Sequence, residues 1–185
     1  MSTIQNPVPV YGKDAIPIVL ACDDSFIPHA AQVIVSLLRH ANPGKKYDVF
    51  VLGVFSNDRS RRITELEKKY ANVSIRLLDL WSYFSEQSFH VSGHISAATY
   101  YRLFIPALFT NYDKILYLDS DATVVGDVSA LFGIDMGENL IAGVPLFKVM
   151  NPEESHEEFQ KYLCNDLGIA DIGEYVNAGI LLMNL

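Results

Sequence analysis

The chain has only two cysteines among 185 residues, Cys22 and Cys164, far apart and in no CxxC or CxxH spacing. That excludes a disulfide scaffold or a zinc knuckle and suits a reducing compartment. Cationic charge is also scarce, with 14 Lys and Arg against 22 Asp and Glu for a net −8. A nucleic-acid binder needs a basic face, and none is present. No apolar run reaches the roughly 18–20 residues of a membrane helix. Met1–Asp14 is polar, carries Pro7 and Pro9, and has no basic segment followed by an apolar one, so no secretory signal is visible. A cytoplasmic protein without a transmembrane segment is expected. Internal repeats and low-complexity tracts are absent. So are the glycines of a dinucleotide turn or P-loop: the first candidate strand is followed by CDDSFIPHA.

Hydrophobic residues make up 50% of the chain and charged residues 19%, enough to bury one substantial core. Residues 1–15 read as a loose lead-in and 16–185 as one domain. Ile16–Cys22 is a continuous apolar run, the pattern of a strand covered on both faces. A helical pattern follows, with Ala30, Ile34, Leu37 and Ala41 on one face and a stop at Asn42-Pro43-Gly44. Tyr47–Val54 and Val73–Leu80 read as strands flanking a helix capped by Ser56-Asn57-Asp58, with Ile63, Leu66 and Tyr70 inward. Ser96 is expected to cap a helix over 97–104 that Pro106 limits. Lys114–Leu118, Leu140–Val144 and Val176–Leu185 are further strands, and Glu153–Leu163 is an acidic surface helix. Alternating strands and helices predict an α/β fold with a mostly parallel, doubly wound sheet. The chain ends in the apolar run ILLMNL, so a domain apparently cut short at its C-terminus is expected.

In open α/β sheets, ligands bind beyond the carboxyl ends of strands. Two acidic clusters fall there: Asp23-Asp24 after the first strand and Asp119-Ser120-Asp121 after KILYL. If 119–121 stays extended, both carboxylates share a face. Their mutual repulsion favours a cation, and oxygen donors suit Mg²⁺, Mn²⁺ or Ca²⁺. Such an ion would also neutralise a diphosphate that an acidic protein otherwise repels. The bland alternatives stand beside this. Asp-x-Asp arises by chance in a chain rich in Asp, and Asp23-Asp24 suits a helix cap or turn. His90 and His94 suit loop packing. Tyr100, Tyr101, Phe104 and Phe109 suit a core, and the Glu153, Glu154, Glu157, Glu158 run suits a solvated helix face.

Four blocks, IVLACDDSF, HISAATYYRLFIP, DKILYLDSD and VNAGILLMNL, occur in order across residues 16–185. Together they resemble glycosyltransferase family 8, retaining enzymes that include bacterial lipopolysaccharide glucosyl- and galactosyltransferases and glycogenin. The resemblance implies a GT-A fold, a Rossmann-like domain binding a nucleotide sugar. It implies a UDP-glucose or UDP-galactose donor, Mn²⁺ (or Mg²⁺) as cofactor, and a carbohydrate or lipopolysaccharide-type acceptor. Ala21, Asp23 and Ser25 would line the uridine pocket, with Asp23 accepting from uracil or ribose. Phe26, where relatives often place Tyr, would stack on the base. Arg102 would contact the donor sugar or phosphate. Asp119 and Asp121 match the metal-binding DxD, with the Ser120 backbone toward the ribose. Asn177 and Ala178 match a segment lining the sugar and acceptor region. Arg102 and Asn177 are the residues offered to the reaction centre, and no carboxylate nucleophile is identifiable. Read alone, Arg102 suits a structural salt bridge with an Asp, and Asn-Ala-Gly a turn entering a strand.

The resemblance also implies a helix and a His-containing motif beyond Leu185, which would complete the metal shell and offer any peripheral membrane contact. A catalytically incomplete nucleotide-sugar-binding fragment is therefore the first rival. A nucleotidyltransferase is the second, but it would need a basic phosphate loop that CDDSF lacks.

Overall fold

The computed structural model describes residues 6–55, 60–81, 96–146 and 157–185. The expected cap Ser56-Asn57-Asp58, both histidines of the 90–94 stretch, and Glu153–Glu154 lie outside them. In chain order the elements begin with β1 (Ala15–Ala21), α1 (Ile27–Arg39) and β2 (Lys46–Gly53). A 3₁₀ segment (Ser60–Lys69) leads to β3 (Val73–Asp79). Then come α2 (Ala98–Tyr101), a 3₁₀ turn (Arg102–Phe104), α3 (Ile105–Leu108) and β4 (Lys114–Leu118). Next are α4 (Ser129–Phe132), β5 (Ile141–Pro145), α5 (Glu157–Lys161) with a wide turn over Tyr162–Asp166, and β6 (Val176–Asn184).

The strands form one six-stranded sheet in the order β3-β2-β1-β4-β6-β5. β1 pairs in parallel with β2 and β4, and β2 with β3. β6 alone is reversed, antiparallel to both β4 and β5. The chain winds outward from β1 through β2 to β3, then returns to place β4 on the other side of β1. The connections therefore part between β1 and β4, the position where open α/β sheets leave a crevice.

Side-chain alternation divides the core between the two faces of the sheet. Ile16, Ile18 and Leu20 of β1 pack with Val49, Val51, Leu116 and Leu118 against the apolar face of α1, built from Ile27, Ala30, Val33, Ile34 and Leu37. Val19, Phe50, Leu52, Ile115 and Tyr117 pack on the other face beneath Ala98, Tyr101, Ile105, Leu108 and Phe109. Each such aliphatic side chain stabilises the fold by about 1.5–3 kcal/mol. The segment 98–108 thus belongs to the face on which Tyr117 lies, and Arg102 rides on it.

Three local expectations change. α1 stops at Arg39, where the His40 N–H turns back to the Leu37 carbonyl at 3.1 Å, ahead of Asn42-Pro43-Gly44. Helix 97–104 is instead two short helices around a 3₁₀ turn. Pro106 sits in the first turn of α3, where a missing N–H costs nothing; inside one long helix its ring would clash with the Arg102 carbonyl. Residues 60–69 wind as 3₁₀ rather than α, which aligns Ile63 and Leu66, three apart, toward the core.

From residue 6 onward the lead-in makes contacts to the body of the fold. Arg76 Nη1 donates to the Val8 carbonyl at 2.9 Å, Asn111 to the Pro7 carbonyl at 3.1 Å, and Lys13 pairs with Asp113 at 2.9 Å. Beneath it, Asp48 is fully buried. Its Oδ2 accepts from Arg76 Nη2 at 2.6 Å and from the Tyr112 hydroxyl at 2.8 Å, while Arg76 stacks over Phe50 at 4.3 Å. Among the described residues, no helix is long and apolar enough to cross a membrane.

Candidate active site

The crevice between the carboxyl ends of β1 and β4 holds a cavity of about 410 Å³. Its walls include Ala21, Asp23 and Phe26 from the β1 end, Asp119, Ser120 and Asp121 from the β4 end, and Arg102 from above. A second, more open lobe of about 450 Å³ shares Thr99, Arg102 and Asp119 with the first and extends to Asn177, Ala178 and Gly179. The reversal of β6 explains this second lobe. Because β6 runs antiparallel to β4, its first residues lie beside the last residues of β4, and the Asp119 N–H donates to the Gly179 carbonyl at 2.7 Å.

The acidic tripeptide does not stay extended. Asp119 to Ala122 closes a turn, with the Ala122 N–H on the Asp119 carbonyl at 3.2 Å. Ser120 points inward, its hydroxyl donating to the Ala21 carbonyl at 2.8 Å and stapling β4 to β1. Asp121 is exposed and Asp119 half-buried, and both line the same cleft.

Asp119 is strongly held. Its Oδ1 accepts from the Tyr117 hydroxyl at 2.8 Å and pairs with Arg102 Nη2 at 3.0 Å. Arg102 Nε donates to the Thr99 carbonyl at 2.9 Å and Nη1 to the Ala178 carbonyl, and the guanidinium lies over the Tyr117 ring at 4.7 Å. The salt bridge expected of an isolated arginine is therefore real, and its partner is Asp119 itself. A guanidinium has five N–H groups, and among the described residues only its Nε and Nη1 are spent on carbonyls, with Nη2 paired to Asp119, so N–H capacity remains for a ligand. Burial pushes the Tyr117 phenol well above its usual range, and it serves as the protonated donor.

At the β1 end, Asp23 Oδ1 accepts from the Ser25 and Phe26 backbone N–H groups, at 2.9 and 3.2 Å, and from the Ser25 hydroxyl. Asp23 thus does the turn-capping work the sequence allowed, and still faces the cavity. Ser25 lies exposed outside the described lining of either lobe, and its role is to brace Asp23. Phe26 is exposed at the rim, tilted against His29 at 4.9 Å. Asn177 Oδ1 accepts from the Gly179 N–H at 2.7 Å, the turn expected at the entry to a strand. Cys22 also lines the cavity, but burial and then the Asp23 charge push its thiol up to about 12, so it is no nucleophile.

Sequence reasoning missed Tyr117, which lies behind Asp119, and Ser96, Ala98, Thr99 and Cys22 in the lining. For Tyr117 a signal existed: it stands two residues before Asp119, hence on the same face.

The donor chemistry at Asp119 and Asp121 fits a hard divalent cation, since both offer carboxylate oxygens. Gly179 makes room there: a Cβ at this position would come within 2.6 Å of Asp119 Oδ2. Among the described residues no third His, Cys, Asp or Glu joins them, so most of such an ion's shell would fall to water and ligand.

The profile of glycosyl transferase family 8 matches residues 17–185. The chain belongs to that family. It is 28% identical over 179 residues to the lipopolysaccharide 1,3-galactosyltransferase of Salmonella typhimurium strain LT2, covering 93% of this chain and 49% of that protein. Its fold superposes on the bifunctional glycosyltransferase WbbM with TM-score 0.79 and 33% identity, over 97% of this chain and 33% of that one. On the galactosyltransferase LgtC, solved with donor and acceptor sugar analogs, the TM-score is 0.70 at 27% identity, over 91% of this chain and 58% of LgtC. The architecture is therefore that of the GT-A glycosyltransferases. The chain spans 49% of its Salmonella relative and 58% of LgtC.

Proposed function

We propose that the two-lobed cleft binds a UDP-hexose, with glucose or galactose as the sugar, and transfers the hexose with retention to a hydroxyl of a carbohydrate acceptor of the lipopolysaccharide type. One observation carries this reading: the β1 acidic turn, the β4 acidic turn and Arg102 converge on a single crevice at the switch point of the sheet.

In this reading Asp23, Ala21 and Phe26 receive the uridine, Asp23 through the carboxylate oxygen left over from its turn. Asp119 and Asp121 hold the cation, which when bound neutralises charge gathering on the diphosphate leaving group. The free N–H groups of Arg102 reach a phosphate or sugar oxygen, a task its planar fork suits. Asn177 and Ala178 flank the second lobe, where the sugar and the incoming hydroxyl meet. The bond from the sugar C1 to the phosphate oxygen breaks, and its electron pair leaves with the diphosphate. The acceptor oxygen bonds to C1 on that same face, and its proton passes to the departing oxygen. No carboxylate of the described cleft is needed as a covalent nucleophile, in keeping with the ties that already occupy Asp23 and Asp119.

The test is UDP-sugar hydrolysis or transfer in the presence of Mn²⁺, comparing the native chain with Asp119→Ala and Asp121→Ala. Loss of turnover in both variants supports the reading. Turnover unchanged by either substitution rejects it.

A further inference from the structure

We propose that Tyr117 is a positioning residue of this site: its hydroxyl and the Arg102 guanidinium together fix Oδ1 of Asp119, so that Oδ2 is the oxygen presented to a cation. The inference rests on reading Asp119 as a cation-binding carboxylate, and it assigns a division of labour between that residue's two oxygens.

Three observations support it. Both partners of Asp119 converge on one oxygen, the Tyr117 hydroxyl donating at 2.8 Å and the Arg102 guanidinium pairing at 3.0 Å, and no hydrogen bond reaches Oδ2 from the described residues. Oδ2 lies beside Gly179, where a Cβ would come to 2.6 Å, so the missing side chain leaves room for this second oxygen. Finally, the clamp is braced on every side. Tyr117 is only 1% exposed within the core, and Arg102 is fixed by the Thr99 and Ala178 carbonyls and by stacking over the Tyr117 ring. Core packing at 117 needs a ring. The hydroxyl adds nothing to that packing, and its described partner is the one carboxylate oxygen. Partners of this kind orient a ligating group and raise its affinity, and removing one typically costs 10–100-fold in metal binding.

The experiment measures Mn²⁺ binding by electron paramagnetic resonance, in which the free aquo ion is counted directly. The native chain, Asp119→Ala and Tyr117→Phe are compared, and UDP binding without metal is measured in parallel. The expected result is clear binding by the native chain, none by Asp119→Ala, and about tenfold weaker binding by Tyr117→Phe. Metal-free UDP binding of Tyr117→Phe should match the native chain, and its thermal midpoint should fall by no more than a few degrees, about the loss of one hydrogen bond. Native-like Mn²⁺ affinity in Tyr117→Phe overturns the inference and leaves the metal reading standing. Equal weakening of UDP binding with and without Mn²⁺ also overturns it, because the hydroxyl would then be merely structural. A native chain that binds no better than Asp119→Ala removes both. Should Tyr117→Phe fail to fold, 4-fluorophenylalanine in place of Tyr117, which keeps the ring and fills the hydroxyl's space without a donor, answers the same question.

Discussion

The same three-residue constellation occurs at opposite ends of the sheet. At the amino end, Asp48 accepts from Arg76 and Tyr112, and Arg76 stacks over Phe50. At the carboxyl end, Asp119 accepts from Tyr117 and is ion-paired with Arg102, and Arg102 stacks over Tyr117. What differs is access. The Asp48 side chain is 0% exposed, roofed by the lead-in, whereas that of Asp119 is 36% exposed on a cleft. A triad whose carboxylate is sealed from water serves the fold. The same triad opened on one side leaves a fixed carboxylate oxygen for a ligand.

The largest expected effect is at the sealed end. Asp48→Ala leaves a half-buried guanidinium and a buried phenol without their carboxylate, and should cost about 3 kcal/mol of unfolding free energy. Arg76 keeps some solvent, hence the low end of that range. Urea denaturation reads the loss, and turnover per folded molecule should not change. Asp119→Ala should reverse the pattern. Turnover falls by about 10²–10³, as when a key electrostatic group is removed from an active site. Stability falls by about 1 kcal/mol or less, because the pair borders water. If Asp119→Ala instead destabilises as much as Asp48→Ala, the two triads do the same job and the contrast fails.

Gly179→Ala sharpens the point with a smaller change. Its new Cβ presses on Asp119 Oδ2, and a sub-ångström displacement of a reacting group should slow turnover about tenfold. Steady-state rates with Mn²⁺ check this.

At neutral pH the smallest effect is that of Cys22, whose thiol bears on stability only in alkali. Its folded pKa, about 12, lies above the unfolded value of 9.0, so the native state holds the proton longer. Stability contributed by this thiol is full below pH 9 and declines as pH rises toward 12. Unfolding curves across that window should flatten in Cys22→Ala. At pH 8 a thiol reagent should label exposed Cys164 in the native chain and reach Cys22 only after unfolding.

Much of the architecture was legible because doubly covered strands leave continuous apolar runs. Ile16–Cys22 and KILYL fell within a residue of β1 and β4. Direction was not legible. ILLMNL reads alike for parallel and antiparallel pairing, so only the structure shows that β6 is reversed and brings Asn177-Ala178 to the cleft. The break at 98–108 was hidden because Pro106 reads equally as the end of one helix or the first turn of another. At the site, the acidic turns were found by their place after strands. Their geometry was not, since the turn at 119–122 depends on Ser120 reaching the Ala21 carbonyl across 99 residues of chain. The pairing of Arg102 with Asp119 likewise depends on which face residues 98–108 cover.

The central claim is that Asp119 and Asp121 hold a cation through which the cleft grips a sugar nucleotide's diphosphate. Calorimetric titration of UDP into the chain, with and without Mn²⁺, tests it most directly when repeated on Asp119→Ala and Asp121→Ala. The account predicts tight binding only with Mn²⁺ in the native chain, and no gain from Mn²⁺ in either variant. UDP affinity that is indifferent to Mn²⁺ in all three proteins would contradict it.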